Sequence, residues 1–405
     1  MSVGEVARIL DLSVDTIRRW EKKGLIKGAR NTRGQRIFSI EHVKALKQKI
    51  IEKPQGIFKV LTQPDRSEYT LVELFAGAGG LALGLENAGL KSKALVEIDK
   101  TAAATLRHNR PHWNVVQADV STVSFERGSA DIVTGGFPCQ AFSYAGKQLG
   151  FEDTRGTLFF EYARIIKQIQ PKVLLAENVR GLVNHDNGRT LSTMISVLEN
   201  LGYTVEWKIL RAQYLDVAQK RERLVIIGVR NDLDLPIQFP EEKAYTLSLR
   251  EALSNMPSSG GQSYTEKKAA IMKHIPEGGY WKDLPDELQR QYMGGSYFLG
   301  GGKTGMARRL SWDEPSLTLT CNPAQKQTER CHPTETRPLN VREYARIQSF
   351  PDDWEFLGST AAQYRQIGNA VPVNLGYHIG VCLRNMLDLY YSNQNLKIEP
   401  QRGSL

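Results

Sequence analysis

The chain is long enough, at 405 residues, to form two or three domains with sizeable cores. No apolar run approaches the roughly eighteen residues of a membrane span, which argues against an integral membrane protein. The four cysteines lack CxxC spacing, so neither a zinc site nor a disulfide framework is indicated. Because no signal-peptide pattern opens the chain, we expect a reducing, cytoplasmic setting.

The positive charge is concentrated at the start of the chain. Of the net charge of +9, residues 1–53 hold +7, from thirteen Lys/Arg and six Asp/Glu. Apolar side chains at helical spacing predict a first helix: Val3, Val6, Ala7 and Leu10. Ser2 and Glu5 are spaced for a capping box at its beginning. A second, basic helix and a third helix beginning at Ser39 would complete a helix-turn-helix.

This segment resembles the winged helix-turn-helix of the MerR family, with residues 30–36 as a basic wing. The resemblance implies a DNA-binding domain at 1–53 whose contacts include Arg18, Arg19, Lys22 and Arg36. Such modules usually bind as dimers, but no long coiled-coil helix follows this one, which leaves dimerisation open. The alternative is a solvated basic face that only raises general affinity for DNA.

Strand and helix patterns alternate after a linker at 54–68, which predicts a parallel sheet with covering helices. The candidate strands are 71–75, 94–97, 114–117, 131–134, 173–176 and 224–229. The candidate helices include 81–88, 158–168 and 190–201. From about 241 to 336 the pattern is lost, and we expect an irregular region there.

A glycine-rich segment at 75–80 follows the first of these strands and opens a helix, as a cofactor-binding loop requires. Glu97 ends the next strand and could bind ribose hydroxyls, while Asp119 follows the third strand and could accept from an adenine amine. Taken singly, either acid could be an ordinary solvated strand end. No Lys-Ser/Thr follows the loop, which disfavours a nucleoside triphosphate site.

A single thiol follows the strand at 131–134. Gly135 and Gly136 allow close approach, and Pro138 fixes the backbone before Cys139. With Glu177 elsewhere in the fold, this pattern suggests a nucleophile and an acid. The alternative is a buried structural cysteine, the usual fate of a free thiol.

Six ordered motifs decide between these alternatives. They are Phe75–Gly80, Phe137–Gln140, Glu177–Val179, Gln219–Arg223, Arg342–Pro351 and Gly368–Pro372. Over residues 70 to 390 the chain resembles the DNA cytosine-5 methyltransferases of bacterial restriction-modification systems. The resemblance implies an α/β, Rossmann-like fold that uses S-adenosyl-L-methionine. It also implies a catalytic domain at 69–240, a target-recognition domain at 241–336, and a segment at 337–405 that completes the catalytic domain.

The same resemblance implies the role of each site residue. Cys139 is the expected nucleophile, Glu177 the acid and Asn178 its support. Arg221 and Arg223 follow Gln219 on a strand-like segment, where alternate side chains point to the same face. They could hold the pyrimidine oxygen, a phosphate and the acid. The alternative is a basic pair at the surface. The expected cofactor contacts are Phe75, Ala76, Gly77, Gly79, Gly80, Leu81, Glu97, Ile98, Asp119, Val120, Pro138, Asn369 and Ala370.

The expected substrate is double-stranded DNA with the cytosine flipped out of the helix. Residues 141–156 resemble the mobile loop that closes over the base, with Gln140, Lys147 and Arg155 as DNA contacts. Some relatives place a serine in this loop that fills the vacated space, and Ala145 stands there in this chain. Candidate groove contacts in the target-recognition region are Lys303, Arg308, Arg309 and Thr318–Thr320, each of which could instead bind phosphate.

Two other functions remain open from the sequence. An RNA-directed enzyme shares the Pro-Cys-Gln chemistry, although the irregular region and the basic N-terminal segment favour duplex DNA. A transcription regulator could use the methyltransferase body only as a scaffold, but it would not need the residues just assigned to catalysis. A cognate restriction endonuclease is expected as a genetic partner rather than a physical one.

Overall fold

A computed structural model describes residues 1–10, 14–22, 26–31, 34, 36–44, 58–138 and 158–398. The chain divides into two units, one of Met1–Ile57 with Lys243–Tyr245 and one of Phe58–Glu242 with Thr246–Leu405. Within the described ranges, no helix has both the length and the apolar character needed to cross a bilayer.

The N-terminal unit begins with α1 (Val3–Leu10) and α2 (Val14–Lys22), followed by a hairpin of β1 (Gly28–Arg30) and β2 (Arg36–Phe38) and a helical turn, α3, at 40–44. The predicted capping box is confirmed, because the Ser2 amide donates to Glu5 at 2.6 Å and the Glu5 amide donates to the Ser2 hydroxyl at 3.3 Å. The hairpin brackets the predicted wing. A small core is shared by the helices and the hairpin, and it contains Val6, Leu10, Ile17, Ile26, Phe38 and Val43.

A seven-stranded sheet is the centre of the second unit. Its strands are β3 (Thr70–Leu74), β4 (Lys91–Val96), β5 (Val115–Val116), β6 (Ile132–Gly135), β7 (Val173–Val179), β8 (Tyr203–Arg211) and β10 (Glu222–Arg230). They lie in the order β5-β4-β3-β6-β7-β10-β8. A separate parallel pair joins β9 (Gln219–Lys220) to β11 (Ser316–Leu317).

The six predicted strands are confirmed at these positions, but the prediction of a parallel sheet is wrong at one end. The strands from β5 to β7 are parallel, whereas β10 is antiparallel to both β7 and β8. Strand β8 was not predicted from the sequence. This strand is at the sheet edge and has mostly exposed or half-exposed side chains, so it lacks the apolar run of a buried strand.

Helices α4 (Gly80–Asn87), α5 (Lys100–Asn109), α6 (Leu158–Ile169) and α7 (Arg189–Asn200) follow strands of the sheet. The three predicted helices correspond to α4, α6 and α7. Side chains of α6 and α7 bury their apolar faces against one side of the sheet, where Phe159, Ile166 and Met194 pack with Val133 and Leu174. This packing fixes the positions of the strand ends.

The region from 241 to 336 is irregular, as predicted. Besides strand β11 it contains the short helices α8 (Leu249–Ala252), α9 (Glu266–Met272) and α10 (Asp286–Met293). It nevertheless has an apolar cluster of its own, which contains Met272, Ile275, Trp281, Leu284 and Met293. The chain then forms α11 (Val341–Ile347), α12 (Thr360–Asn369) and α13 (Val373–Ile398).

Residues 58–61, in the middle of the predicted linker, dock on this C-terminal segment. The Asn374 side chain accepts from the Leu61 amide at 3.0 Å and donates to the Lys59 carbonyl at 3.0 Å. The Arg346 guanidinium lies over the Phe58 ring. The linker therefore docks on the catalytic unit through these residues, while its residues 54–57 lie outside the described ranges.

Candidate active site

A cavity of about 860 Å³ lies at the carboxyl edge of the parallel strands. Parallel α/β sheets place ligands at this edge, and the volume is in the ordinary range for such sites. Its lining comes from stretches that are far apart in the sequence. They are chiefly 75–81, 96–99, 118–120, 136–138, 177–179, 318–321 and 368–371, together with the side chains of Arg221, Arg223 and Arg365.

All but one of the predicted cofactor contacts lie on this wall. The exception is Gly79, which is the N-cap of α4 with φ of 88°. A side chain there would approach Leu106 at 2.7 Å and Trp354 at 3.1 Å. Gly79 therefore serves the turn and the packing behind the wall, and it does not face the cavity.

The glycine-rich loop turns sharply between β3 and α4. Phe75 and Gly77 both have positive φ, of 61° and 55°, which glycine adopts without strain and phenylalanine rarely does. A Cβ atom on Gly77 would meet nothing within 4 Å, so the missing side chain leaves open space beside the loop. The Phe75 ring lies edge-on to Phe137, at 6.4 Å between centroids.

Glu97 holds this loop in place. One of its carboxylate oxygens accepts from the Gly77 amide at 2.7 Å and the other from the Asp99 amide at 2.7 Å. Burial raises the pKa of the Glu97 carboxyl, while these backbone amides oppose the rise. Beside it, the Ile98 side chain is 65% exposed and offers an apolar surface at the cavity wall.

Asp119 lies at the exposed end of the next strand. Its carboxylate accepts from the amide and the hydroxyl of Ser121, at 2.9 and 2.8 Å. The Ser121 amide lowers the pKa of Asp119, and the side chain can therefore only accept hydrogen bonds at neutral pH. An exposed acceptor at this place suits an exocyclic amine.

The acid and the arginine predicted beside it form a close pair. Glu177 ends β7, where Val225 is its partner in β10, and Arg223 is two residues away on the same strand as Val225. The Arg223 Nε lies 2.5 Å from a Glu177 oxygen, and both side chains are about nine-tenths buried. The alternative of a surface basic pair is therefore wrong for Arg223.

The segment that leads to the thiol is tied to the same strand. The Asn178 side-chain amide donates to the Phe137 carbonyl at 2.8 Å. A Cβ on Gly136 would lie 3.2 Å from Glu177 Oε2, so only a glycine leaves that oxygen ample room. Cys139 itself, with Gln140, Lys147 and Arg155, lies outside the described residues.

Arg221 is 2% exposed and is held by backbone. Its guanidinium donates to the carbonyls of Leu319, at 3.1 Å, and Gly368, at 2.9 Å. Burial lowers the pKa of Arg221 well below its ordinary value. Both arginines reach the cavity wall, but it is Arg223 that contacts Glu177.

Gln219 does not line the cavity, and its side chain completes the frame around Arg221. Its carbonyl oxygen accepts from the Leu319 amide at 2.9 Å, and its amide donates to Gln348 at 2.8 Å. Gln348 in turn donates to the carbonyls of Ile367 and Ala370. The predicted catalytic residue Gln219 is thus placed to position other groups.

The predicted groove contact of Arg309 is wrong. The side chain is 4% exposed, and its guanidinium donates to the carbonyls of Met272, Ile275 and His332 at 2.7 to 3.0 Å. Arg309 therefore stabilises the irregular region from within. Its neighbour Arg308 is half-buried with its guanidinium over the Tyr280 ring.

The other predicted DNA contacts remain predictions. Lys303 donates to the carbonyls of Ser296 and Leu299 in its own loop. In the N-terminal unit, Arg18 is exposed and Arg36 forms an ion pair with Glu21 at 3.1 Å. The side chains of Arg19 and Lys22 lie outside the described part of the chain.

Several residues at the cavity were not predicted from the sequence, among them Glu73 and Cys321. Glu73 is buried within β3, in a sequence that otherwise has the pattern of an apolar strand. Cys321 is exposed at the wall, and its thiol donates to the Asn369 side chain at 3.0 Å. A charged residue inside a buried strand was the available signal for Glu73, whereas Cys321 had none.

The fold and the cavity together define a Rossmann-like, S-adenosylmethionine-dependent methyltransferase. The profile of the C-5 cytosine-specific DNA methylases matches residues 69–384, and the chain belongs to that family. It is a DNA (cytosine-5-)-methyltransferase whose methyl donor is S-adenosyl-L-methionine. The profile of MerR helix-turn-helix regulatory proteins matches residues 1–50.

Relatives and solved structures agree with this assignment. The chain is 57% identical to the Type II methyltransferase M.Eco47II of Escherichia coli over 96% of both chains. It is 56% identical to M.Sau96I of Staphylococcus aureus, over 81% of this chain and 77% of that one. The crystal structure of Spodoptera frugiperda DNMT2 has a TM-score of 0.57 at 18% identity, over 78% of this chain and all of that one, which supports the fold.

The residues present fit S-adenosylmethionine. The open space beside Gly77 gives room next to the backbone, and the Glu97 oxygens keep lone pairs beyond the two amide bonds. Ile98 adds an apolar surface to the same wall, which also carries the exposed acceptor Asp119. No cluster of three or more metal-ligating side chains occurs among the residues that the structure describes.

Proposed function

We propose that the chain methylates carbon 5 of a cytosine within a specific duplex DNA sequence, as the modification half of a restriction-modification system. The observation that carries the proposal is the meeting of two parts in one cavity. The buried Glu177–Arg223 pair lies against the segment that leads to Cys139, and the glycine-rich loop lies on the same wall.

The proposed reaction begins with Cys139. Carbon 5 of cytosine is a weak nucleophile, and addition of the Cys139 thiolate to carbon 6 turns the ring into an enamine. The π electron pair of the carbon 5–carbon 6 bond shifts into the carbon 4–carbon 5 bond. The carbon 4–nitrogen 3 π pair then moves onto nitrogen 3, which takes a proton from Glu177. Arg223 holds that carboxyl group in place at 2.5 Å.

Bound S-adenosylmethionine would supply the methyl group to carbon 5 and leave as S-adenosylhomocysteine, while nitrogen 3 returns its proton to Glu177. A base then takes the proton from carbon 5, the thiolate leaves carbon 6, and the carbon 5–carbon 6 double bond is restored. Asn178 fixes the backbone before Pro138 and so sets the approach of Cys139 to the ring. Because carbon 6 is inaccessible within a duplex, the cytosine must be flipped out before this addition.

Covalent trapping tests the assignment of the nucleophile. A duplex with 5-fluorocytosine at the target should trap the wild-type enzyme, because fluorine cannot leave as a proton does. Cys139→Ala should abolish trapping and methyl transfer but leave binding of S-adenosylmethionine intact. Cys321→Ala is the matched control, since it removes the thiol that the structure places at this cavity and should still trap. Trapping by Cys139→Ala would overturn the assignment.

The substrate is tested by bisulfite sequencing of DNA from cells that express the enzyme. We expect methylation at one short recognition sequence, and methylation of purified DNA but not of tRNA. Methyl transfer to tRNA alone would replace the proposed substrate by RNA.

We also propose that residues 1–53 bind DNA separately from catalysis and regulate transcription. The match to MerR regulators and the capped, basic helical segment support this. Removal of residues 1–53 should spare methylation of short duplexes and abolish a footprint near the gene of the enzyme. A uniform footprint that weakens steeply with salt would instead indicate general DNA affinity, since phosphate contacts carry no sequence information.

A further inference from the structure

Strand β8 forms an open edge of the seven-stranded sheet. It is the last strand in the sheet order, and its nine residues, Tyr203–Arg211, pair with β10 on one side only. The strand contains no proline, and its pairing with β10 runs from end to end without a bulge. A long and regular edge strand of this kind is a template for pairing with another chain, and many proteins block such an edge with a proline or a bulge.

The hydrogen bonds at the two ends of β8 show which backbone groups face the open edge. The Ala212 amide donates to the Arg221 carbonyl at 2.8 Å, and the Asn231 amide donates to the Gly202 carbonyl at 2.9 Å. Because only every second residue pair of an antiparallel ladder is hydrogen-bonded, the even-numbered residues of β8 bond to β10. The odd-numbered residues, from 203 to 211, therefore direct their amides and carbonyls away from the sheet.

The side chains at the centre of this edge differ between its two faces. Trp207 is 42% exposed, and its neighbours Glu206 and Lys208 are exposed as well. Side chains alternate along a strand, so Trp207 shares a face with Val205 and Ile209, which pack at the margin of the core that α6 and α7 cover. Glu206 and Lys208 lie on the opposite face. The edge thus presents an apolar stripe on one face and two opposite charges on the other.

A second copy of β8 fits this edge in one central register. The outward-facing backbone groups require that odd-numbered residues pair with odd-numbered residues, which allows two-fold axes at residues 206, 207 and 208. An axis at Glu206 or at Lys208 places like charges directly opposite each other, which is destabilising. An axis at Trp207 instead places Glu206 of each copy opposite Lys208 of the other.

The register centred on Trp207 satisfies the backbone and both faces together. Val205 of each copy lies opposite Ile209 of the other, and the two Trp207 residues lie opposite each other, all in hydrogen-bonded pairs. Glu206 and Lys208 fall in the non-hydrogen-bonded pairs between them, where opposed side chains are closest. A lysine alone would block edge pairing. A glutamate two residues away converts this block into a preference for an identical strand.

We propose that β8 is a dimer interface, at which two copies of the enzyme join antiparallel about Trp207 and extend their sheets into one. The contact is isologous, so each favourable pair occurs twice. The described lining of the catalytic cavity includes no residue of β8, and the proposal is therefore independent of the proposed reaction.

Sedimentation velocity of the full-length enzyme tests the interface. A contact one strand wide lies at the low end of interface sizes, so we expect a dimer with a dissociation constant on the order of 10 µM. Glu206→Lys would place lysines opposite each other in both pairs and should raise this constant at least about 10-fold. Adding Lys208→Glu to that variant restores opposite charges with their signs exchanged, and the constant should return to within about 3-fold of wild type.

Glu287→Lys is the matched control, because it makes the same change of charge at an exposed residue of α10 and should leave the dimer unchanged. Circular dichroism checks that each variant folds, and Lys208→Glu, which opposes two glutamates, replaces Glu206→Lys if the latter does not fold. A wild-type enzyme that stays monomeric at about 100 µM would overturn the proposal. A dimer that Glu206→Lys leaves intact would do the same, since it would show association through another surface, such as the N-terminal unit. Failure of the double variant to dimerise would also count against it, because the register centred on Trp207 requires the rescue.

Discussion

Glu73 carries a buried carboxyl group whose ionisation should control the pH dependence of stability. It lies in β3, between β4 and β6, and is 2% exposed. Burial raises the pKa of Glu73 to about 8, and the nearby Glu97 carboxylate adds to the rise. The folded protein therefore holds this group neutral at pH 7, whereas the unfolded chain ionises it near pH 4.5.

The sign follows from these two pKa values. Below about pH 4.5 both states are protonated, and Glu73 has no effect on the free energy of unfolding. As pH rises to about 8, only the unfolded chain releases the proton, so stability falls. With about 1.36 kcal/mol per pKa unit, the loss is roughly 2 kcal/mol at pH 6 and roughly 4 kcal/mol at pH 8.

Glu73→Gln removes this titration while it keeps the shape of the side chain. Urea unfolding of the ligand-free enzyme should show that the variant gains on the order of 2 kcal/mol relative to wild type between pH 6 and pH 8. Glu68→Gln is the matched control, because the Glu68 side chain is largely exposed and its pairing with Lys91 contributes little. Parallel stability curves for wild type and Glu73→Gln would refute the reasoning.

Two further substitutions test the frame of the cavity. Gly80→Ala would place a Cβ atom 2.1 Å from the Val371 carbonyl oxygen, so the glycine-rich loop must shift. Equilibrium dialysis should then show weaker binding of S-adenosylmethionine. An unchanged affinity would contradict the close packing of Gly80 against Val371. Arg221→Met removes the donors to the Leu319 and Gly368 carbonyls and leaves these buried oxygens unpaired. Urea unfolding should show that the free energy of unfolding falls by roughly 2 to 6 kcal/mol. A loss of under about 1 kcal/mol would contradict a structural role for Arg221.

The sequence predicted the sheet well where local pattern decides the structure. Strands β3, β6 and β7 have buried apolar runs, and each was located within a few residues. Strand β8 has no such run, because an edge strand has a neighbour on one side only and leaves much of its surface in solvent. Local periodicity cannot reveal a strand of that kind.

The site residues divide along a similar line. The order of the motifs was sufficient to predict that Glu177 and Arg223 share one site. The structure places them on the adjacent strands β7 and β10, at the same cavity. The internal role of Arg309 depends on carbonyls 23 to 37 residues away, and that of Arg221 on carbonyls 98 and 147 residues away. A basic residue in a sequence looks the same whether its partner is DNA or a distant backbone, and only the tertiary fold distinguishes the two.

The position of Arg221 has a consequence for how the two halves of the cavity communicate. One guanidinium joins the Leu319 carbonyl, beside the thiol Cys321, to the Gly368 carbonyl, beside the predicted cofactor contact Asn369. The Cys321 thiol in turn donates to Asn369. If the segment that contains Leu319 moves toward DNA, the cavity wall at Gly368 and Asn369 must move with it, or the buried hydrogen bonds of Arg221 must break. Breaking a hydrogen bond to a charged group costs about 1.5 to 3 kcal/mol. Rigid coupling is the less costly of the two, so we expect DNA binding and cofactor binding to strengthen one another by the same factor, as linkage requires.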